Sequence, residues 1–417
     1  MSLWGKGNVD WQQRIDFKRL REERVARAHK MLHKYEIGAA IVFSWDSKRY
    51  LSSIWNHPYT KHIPWHFALL IRDAGFPYIS VKKGFDDEQV IQDCPWLEGR
   101  IVTFDVLLQP EVVKLRSDDD AEGRWKKTAQ QIKSLMKEHG VDGLPVSVDW
   151  APPYTIKALQ DAGLSVVDGN AWILEADMIK TEDEIQLMKM AASCNEAGYG
   201  LLVKEFRPGM RENDAQAIMA KGIYEAGAEY LEGWVVNSGP RTSPRSFNWS
   251  DRTVRPGEFM SVEACHVTYC GYKVCYDRTF LVGGKPTELQ KELYAITADL
   301  HHKVMNLLKP GITTLDIDRS RPFPPKSFKS LEDLREYRNT SYSNHFGGMG
   351  IRWDDAPTCT ADEVERPIEK NMCIAYHSIH TVKGYEGVAI ENTYRITDTG
   401  CELLCKWPFD DIIVLGS

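Results

Sequence analysis

The stretch from Pro256 to Phe280, PGEFMSVEACHVTYCGYKVCYDRTF, restricts the fold of this 417-residue chain more than any other. Apolar and polar positions alternate on both sides of Tyr269-Cys270-Gly271-Tyr272, so the stretch reads as a strand, a tight turn and a returning strand. A side-chain period of two puts Glu263 and Cys265 on one face of the first strand and Cys275 and Asp277 on one face of the second. Acidic and thiol groups that share a buried face lose solvation unless something compensates them. The pattern therefore asks for a cation, a shared proton or ordered water. Cysteines packed as small hydrophobes beside a solvated acid are the alternative that the hairpin alone leaves open.

A chain this long exceeds one ordinary core, and two domains are expected, with bounds 1–172 and 173–417. Its 43% hydrophobic and 27% charged residues are those of a globular protein, and a net charge of -7 without any basic run argues against nucleic acid as a partner. The N-terminus has no apolar core of signal-peptide length, and no run of apolar residues is long enough to cross a bilayer. A cytoplasmic location without membrane contact is expected. Nine cysteines at irregular spacing do not form a secreted disulfide framework and are expected to stay thiols.

Along the chain, a helix is predicted from Phe17 to Tyr35, strands from Gly38, Phe67 and Pro77, and a helix from Ala121 to His139 that stops at Gly140. PVSVD from Pro145, a helix near Tyr154 to Ala162 and SVVD from Ser165 complete an alternating β/α first domain. Between its first two strands lies a segment rich in Trp and His, Trp55 to His66. His57, His62 and His66 there lack regular ligand spacing. The second domain opens at Lys180-Thr181-Glu182-Asp183-Glu184, where Thr181 and Glu184 make a capping box. Helices from Asn213 to Ala226 and Thr287 to Leu308 alternate with antiparallel strand pairs at Gly233, the hairpin, Met372 and Gly387. The class is α+β, with a sheet curved around a site. A proline-punctuated segment from Ser320 to Ser343 reads as a long loop or lid.

Beyond the hairpin, His345 in NHFGGMG, His377 in MCIAYHSIH and Glu391 in GVAIENTY fall on strands that can turn them inward. The order of IKTEDEIQLMKMAA, RPGEF, RTFLVGG, LKPG, the His-Gly turn and GVAIENT resembles the creatinase, aminopeptidase P and prolidase superfamily. The resemblance implies a C-terminal pita-bread domain behind an α/β N-terminal domain. It also implies five metal ligands, Asp, Asp, His, Glu and Glu, which match Glu263, Cys275, His345, His377 and Glu391 here. A Cys/His/Glu set favours one or two divalent ions of borderline character, Zn or Fe. Within the superfamily the chain is most similar to the dimethylsulfoniopropionate lyases of the DddP type, through SGPRTSP at Ser238, DDAP at Asp354 and CKWPFD at Cys405. In that group an extra acidic ligand stands where this chain has Cys265.

By that resemblance the chain is expected to be a metal-dependent lyase acting on a small polar or zwitterionic substrate, with Asp354 or Asp277 as the base and Arg241 holding a substrate carboxylate. A creatinase- or Xaa-Pro-dipeptidase-like hydrolase of a C–N bond is the first alternative, and a non-catalytic binding module the second. Creatinase works without metal through a His that would fall near Ser246, where this chain has none, so a metal-free version of that hydrolysis is not expected. The domain plan also implies a homodimer, in which Trp55 to His66 could line the partner's site.

Overall fold

The computed structural model describes residues 15–55, 67–80, 86–102, 104, 121–319, 340–355, 357, 365–382 and 384–416. His57, His62, His66 and residues 320–339 of the expected lid lie outside the described residues. Residues 16–177 form one compact unit and residues 178–417 another. The division falls after 177 rather than 172 because the helix Asn170–Met178 stays with the first unit, where Trp172 Nε1 donates to Ser147 Oγ at 3.0 Å.

In the first unit, strands β1 (Ala39–Val42), β2 (Ala68–Ile71), β3 (Tyr78–Ser80), β4 (Ile101–Val102), β5 (Val146–Val148) and β6 (Val166–Asp168) form a six-stranded sheet in the order β4-β3-β2-β1-β5-β6. β1 pairs antiparallel with β2 and parallel with β5, so the sheet is mixed. The helix Phe17–Lys34 starts where the Asp16 carboxylate accepts the orphan N–H groups of Lys18 and Arg19, and it buries Leu20, Val25, Ala28, Met31 and Leu32. Phe43, Phe67 and Trp125 interlock at the centre of the core, with ring centroids 5.5 to 6.0 Å apart.

The second unit opens as its sequence dictates. Thr181 Oγ1 accepts the Glu184 N–H at 3.1 Å and Glu184 Oε2 accepts the Thr181 N–H at 2.7 Å, which starts the helix Glu182–Glu205. The main sheet uses β7 (Gly233–Ser238), β8 (Glu258–Cys265), β11 (Asp277–Val282), β12 (Thr340–Met349), β13 (Trp353–Asp355), β14 (Cys373–Val382) and β15 (Gly387–Ile396), in the order β13-β12-β14-β15-β11-β8-β7. β9 (Val267–Tyr269) and β10 (Tyr272–Val274) form a separate two-stranded sheet. The helix Glu288–Leu307 packs on β14 and β15 through His301, which meets Tyr394 Oη at 2.8 Å and Ser378 Oγ at 3.1 Å.

The hairpin differs from a continuous ladder. Glu263 pairs with Asp277, whereas Val267 pairs with Val274. Residues 264–266 thus face only 275 and 276, a bulge whose extra residue, His266, has φ +53°. Cys270 (φ +47°) and Gly271 (φ +89°) close the upper ladder, the two left-handed residues that a right-twisted hairpin turn of this length needs. Behind the lower ladder lies Arg278, 1% exposed. Its guanidinium donates to the carbonyls of Asp277 and Glu391 at 2.7 Å each, to Asn392 Oδ1 at 2.7 Å and to the Trp407 carbonyl at 2.8 Å. The tail CKWPFD is therefore scaffold: it seals the back of β11 and β15.

The β7–β8 connection crosses the start of β15, and Gly387 is glycine because a Cβ there would stand 2.5 Å from the Thr242 carbonyl oxygen. Gly387→Ala is expected to cost about 1–3 kcal/mol through backbone overpacking. The control Gly233→Ala, with no atom within 4 Å of the added carbon, should lie near neutral; chemical denaturation compares the two. Burial also lowers the His380 pKa from 6.5 to about 3, so the native protein keeps this imidazole neutral. Above pH 6.5 native and unfolded chains are alike at this group; below it only the unfolded chain takes the proton. Stability then falls by about 1.4 kcal/mol per pH unit until the native pKa is reached. Urea unfolding between pH 6 and 4 should show His380→Gln flattening the slope by about that amount.

Candidate active site

The register of the main sheet assembles the site. Glu263 on β8 lies opposite Asp277 on β11, Asp277 opposite Glu391 on β15, Glu391 opposite His377 on β14, and His377 opposite His345 on β12. Directly paired residues of β8, β11, β15 and β14 project to the same face, their Cβ atoms about 5 Å apart. One transverse row thus gathers residues from positions 263 to 391. Asp354 lies on β13, the neighbour of β12; the side chains of His345 and Asp354 lie outside the described part of the structure.

A residue that the sequence reading did not single out stands at the centre of this row. Arg245, with a side chain 4% exposed, places Nη2 at 2.6 Å from Glu263 Oε2 and at 2.6 Å from Asp277 Oδ2, and Nη1 at 2.8 Å from His377 Nε2. Ser261 Oγ donates to Asp277 Oδ1 at 3.0 Å. His377 Nε2 is 3.2 Å from Asp277 Oδ2, and its Nδ1 is 3.7 Å from Glu391 Oε2. Glu391 Oε2 and Arg245 Nε are buried and have no hydrogen-bond partner among the described residues.

The electrostatics follow from this geometry. Burial would discharge Arg245, yet the charges of Asp277, Glu263 and Glu391 outweigh it and hold the guanidinium above its ordinary range. Burial likewise opposes ionisation of Asp277, but the Arg245 charge and the His377 bond draw its pKa down. For His377, burial is outweighed by the Glu391 charge and the Asp277 contact, which raise its pKa, although the Arg245 charge opposes them; only the neutral imidazole can accept the Arg245 N–H at Nε2. Glu391 goes the other way: burial raises its pKa, only partly offset by His377, and repulsion from Glu263 and Asp277 adds to the rise. The row therefore separates an ionised carboxylate, Asp277, from one that favours its proton, Glu391.

The remaining sequence-selected residues lie apart from this cluster or at its rim. Cys265 Sγ donates to Glu263 Oε1 at 3.1 Å, and burial, then the Glu263 charge, push the thiol pKa up. Cys275 faces the bulge; its Sγ lies 3.6 Å from Met349 Sδ, and it does not join the cluster. Arg241 donates through Nε to both Glu212 oxygens at 3.2 Å and through Nη2 to Asn248 Oδ1 at 2.8 Å. It braces the connection that carries Arg245 and does not enter the row. Across the bulge, Glu232 binds His266 Nδ1 at 3.0 Å and Lys273 Nζ at 2.8 Å.

Glu263, Asp277 and His377 each offer a ligand atom within 4.8 Å of the others, a spacing that could hold a divalent ion. Each of the three residues is also bonded to Arg245. A metal ion and the guanidinium would compete for the same lone pairs, and Cys275, the expected thiolate ligand, is turned elsewhere. With Arg245 in place, the set does not fit the expected metal centre.

Known proteins place this arrangement. The chain is 23% identical to the dimethylsulfoniopropionate lyase DddP of Roseovarius nubinhibens across 96% of its own length and 88% of that protein. It is 25% identical to the Xaa-Pro dipeptidase of Pyrococcus furiosus over 56% of this chain and 65% of that one. The fold superposes on the Xaa-Pro dipeptidase of Bacillus anthracis with a TM-score of 0.74 at 19% identity, covering 94% of this chain and 99% of the other. The model of metallopeptidase family M24 matches residues 186–398. That match spans more than half of the chain, which therefore belongs to the M24 family of pita-bread enzymes, metal-dependent hydrolases and lyases.

Proposed function

We propose that this enzyme acts on a small zwitterionic or carboxylate-bearing substrate and catalyses a β-elimination of the kind named for its DddP relatives, dimethylsulfoniopropionate to dimethyl sulfide and acrylate. One observation carries the reading: in the buried row a donor, Arg245 Nε, and a carboxyl oxygen, Glu391 Oε2, have no hydrogen-bond partner among the described residues. Buried polar atoms of this kind are few in folded proteins and commonly mark where a ligand completes the bonding. A substrate carboxylate would take the guanidinium N–H. Glu391, when ionised, is a stronger base than an ordinary carboxylate because its environment raises its pKa. It would remove the proton from the carbon beside the substrate carboxylate. The electron pair of that C–H bond becomes the C=C bond of acrylate, the C–S pair leaves with sulfur, and the proton stays on Glu391. Asp277, bonded to Arg245, His377 and Ser261, serves to hold the guanidinium rather than as the base.

The dipeptidase relatives support a second reading, hydrolysis of a C–N bond. It needs an activated water as well as a base, and the residues that would hold a water-activating ion are those bonded to Arg245.

Purified protein incubated with dimethylsulfoniopropionate is expected to release dimethyl sulfide into the headspace, and Glu391→Gln to lower the rate about 10²-fold or more with an unchanged unfolding temperature. No release above a protein-free blank rejects the lyase reading. Incorporation of oxygen from labelled water into a product of any accepted substrate supports hydrolysis instead.

A further inference from the structure

We infer that Arg245 is the resident cation of this active site: its guanidinium occupies the place from which a divalent ion would hold Glu263, Asp277 and His377, and the enzyme dispenses with a metal there. This rests on the contact geometry and not on which reaction the enzyme catalyses.

The correspondence is group for group. Among the described residues, the donors close enough to share one ion are Glu263, Asp277 and His377, and Arg245 reaches them at 2.6, 2.6 and 2.8 Å. Guanidinium suits this task because it stays charged when buried and its planar fork of N–H groups can serve several acceptors at once. A lysine would present a single point charge. Burying carboxylates without a countercharge is costly, and with the side chain of Arg245 4% exposed the compensation is internal.

The connection that delivers Arg245 is fastened on both sides. Thr242 Oγ1 accepts the Gly387 N–H at 2.8 Å, Ser243 Oγ donates to the Val382 carbonyl at 2.8 Å, and Arg241 grips the buried Glu212. These bonds tie the segment before Arg245 to the ends of β14 and β15, which carry His377 and Glu391. A guanidinium that merely drifted into a vacant ion site would need no such anchorage. The ligand set has changed in step: Cys275 lies against Met349, so a metal would lose that ligand as well as the three groups spent on Arg245.

The test uses the full-length protein expressed in medium supplemented with manganese, iron and zinc. Elemental analysis is expected to find well under one ion per chain, and neither EDTA nor added divalent salts should move the unfolding temperature. Arg245→Ala frees the three donors. It is expected to bind zinc or manganese, seen as a rise in unfolding temperature of about 5 °C at saturating metal, reversed by EDTA and absent from Arg245→Ala combined with His377→Ala. Stoichiometric metal in the unaltered protein, or a fall in its unfolding temperature with EDTA, overturns the inference. So does an Arg245→Ala protein that folds but binds no metal. Should that variant fail to fold, the metal content and EDTA response of the unaltered protein decide alone. Neither readout requires turnover, so a failed dimethyl sulfide assay leaves this result standing.

Discussion

Three carboxylates share one transverse row of the main sheet, and everything around that row answers to the cost of burying them. Glu263, Asp277 and Glu391 are 8%, 0% and 3% exposed. In a low-dielectric interior such groups either lose their charge or find a cation. Both solutions coexist. Asp277 keeps its charge against Arg245, to which Glu263 is also bonded, while Glu391, without a hydrogen bond to its Oε2 among the described residues, is driven toward its protonated form. A single guanidinium, bonded to Glu263 and Asp277, thus divides chemically similar acids into a structural pair and a reactive one.

The support of that arrangement comes from two directions. From behind, Arg278 draws together the backbones of β11 and β15 with bonds to the Asp277 and Glu391 carbonyls, which fixes the spacing of the two acids. From the side, the β7–β8 connection is bonded to β14 and β15 through Ser243 and Thr242. Arg278 needs no acidic partner because several carbonyls and Asn392 surround it. One arginine is thus a hub for backbone, the other a hub for side chains. Substituting either would perturb the row, but by different routes: loss of Arg278 loosens the strands, whereas loss of Arg245 leaves charges uncompensated.

Much of the fold was legible in the sequence because local signals carry it. The capping box at Thr181, the glycine at 140 and the strand alternation at 387–396 all mark elements that form as read. Glu263, His377 and Glu391 were legible as inward strand positions. What sequence could not supply was register. Alternation alone made Cys275 equivalent to Asp277; the bulge at His266 decides between them, and a positive φ at a histidine has no strong sequence signature. Arg245 was missed for a related reason. In SGPRTSPRSF two arginines stand four positions apart on an irregular connection, where no periodicity says which one points inward. Arg241 carried the expected role, yet the buried Glu212 captures it. Glu212 sits in the first turn of the helix Glu212–Glu225, where a carboxylate reads as an ordinary helix-start residue.

The exchange of an ion for a guanidinium changes which reactions the scaffold suits. A divalent metal lowers the pKa of a bound water and polarises a carbonyl, the two effects that make hydrolysis possible at neutral pH. A guanidinium supplies charge and direction but has no coordination site for water, and its protons are too weakly acidic to transfer. It can still neutralise a substrate carboxylate and so ease removal of the adjacent C–H proton. A reaction in which the leaving group departs as a neutral molecule needs little more than that and a base. With Arg245 bonded to Glu263, Asp277 and His377 and with Glu391 beside them in the row, the proposed chemistry keeps the parts for proton abstraction and does without those for activating water.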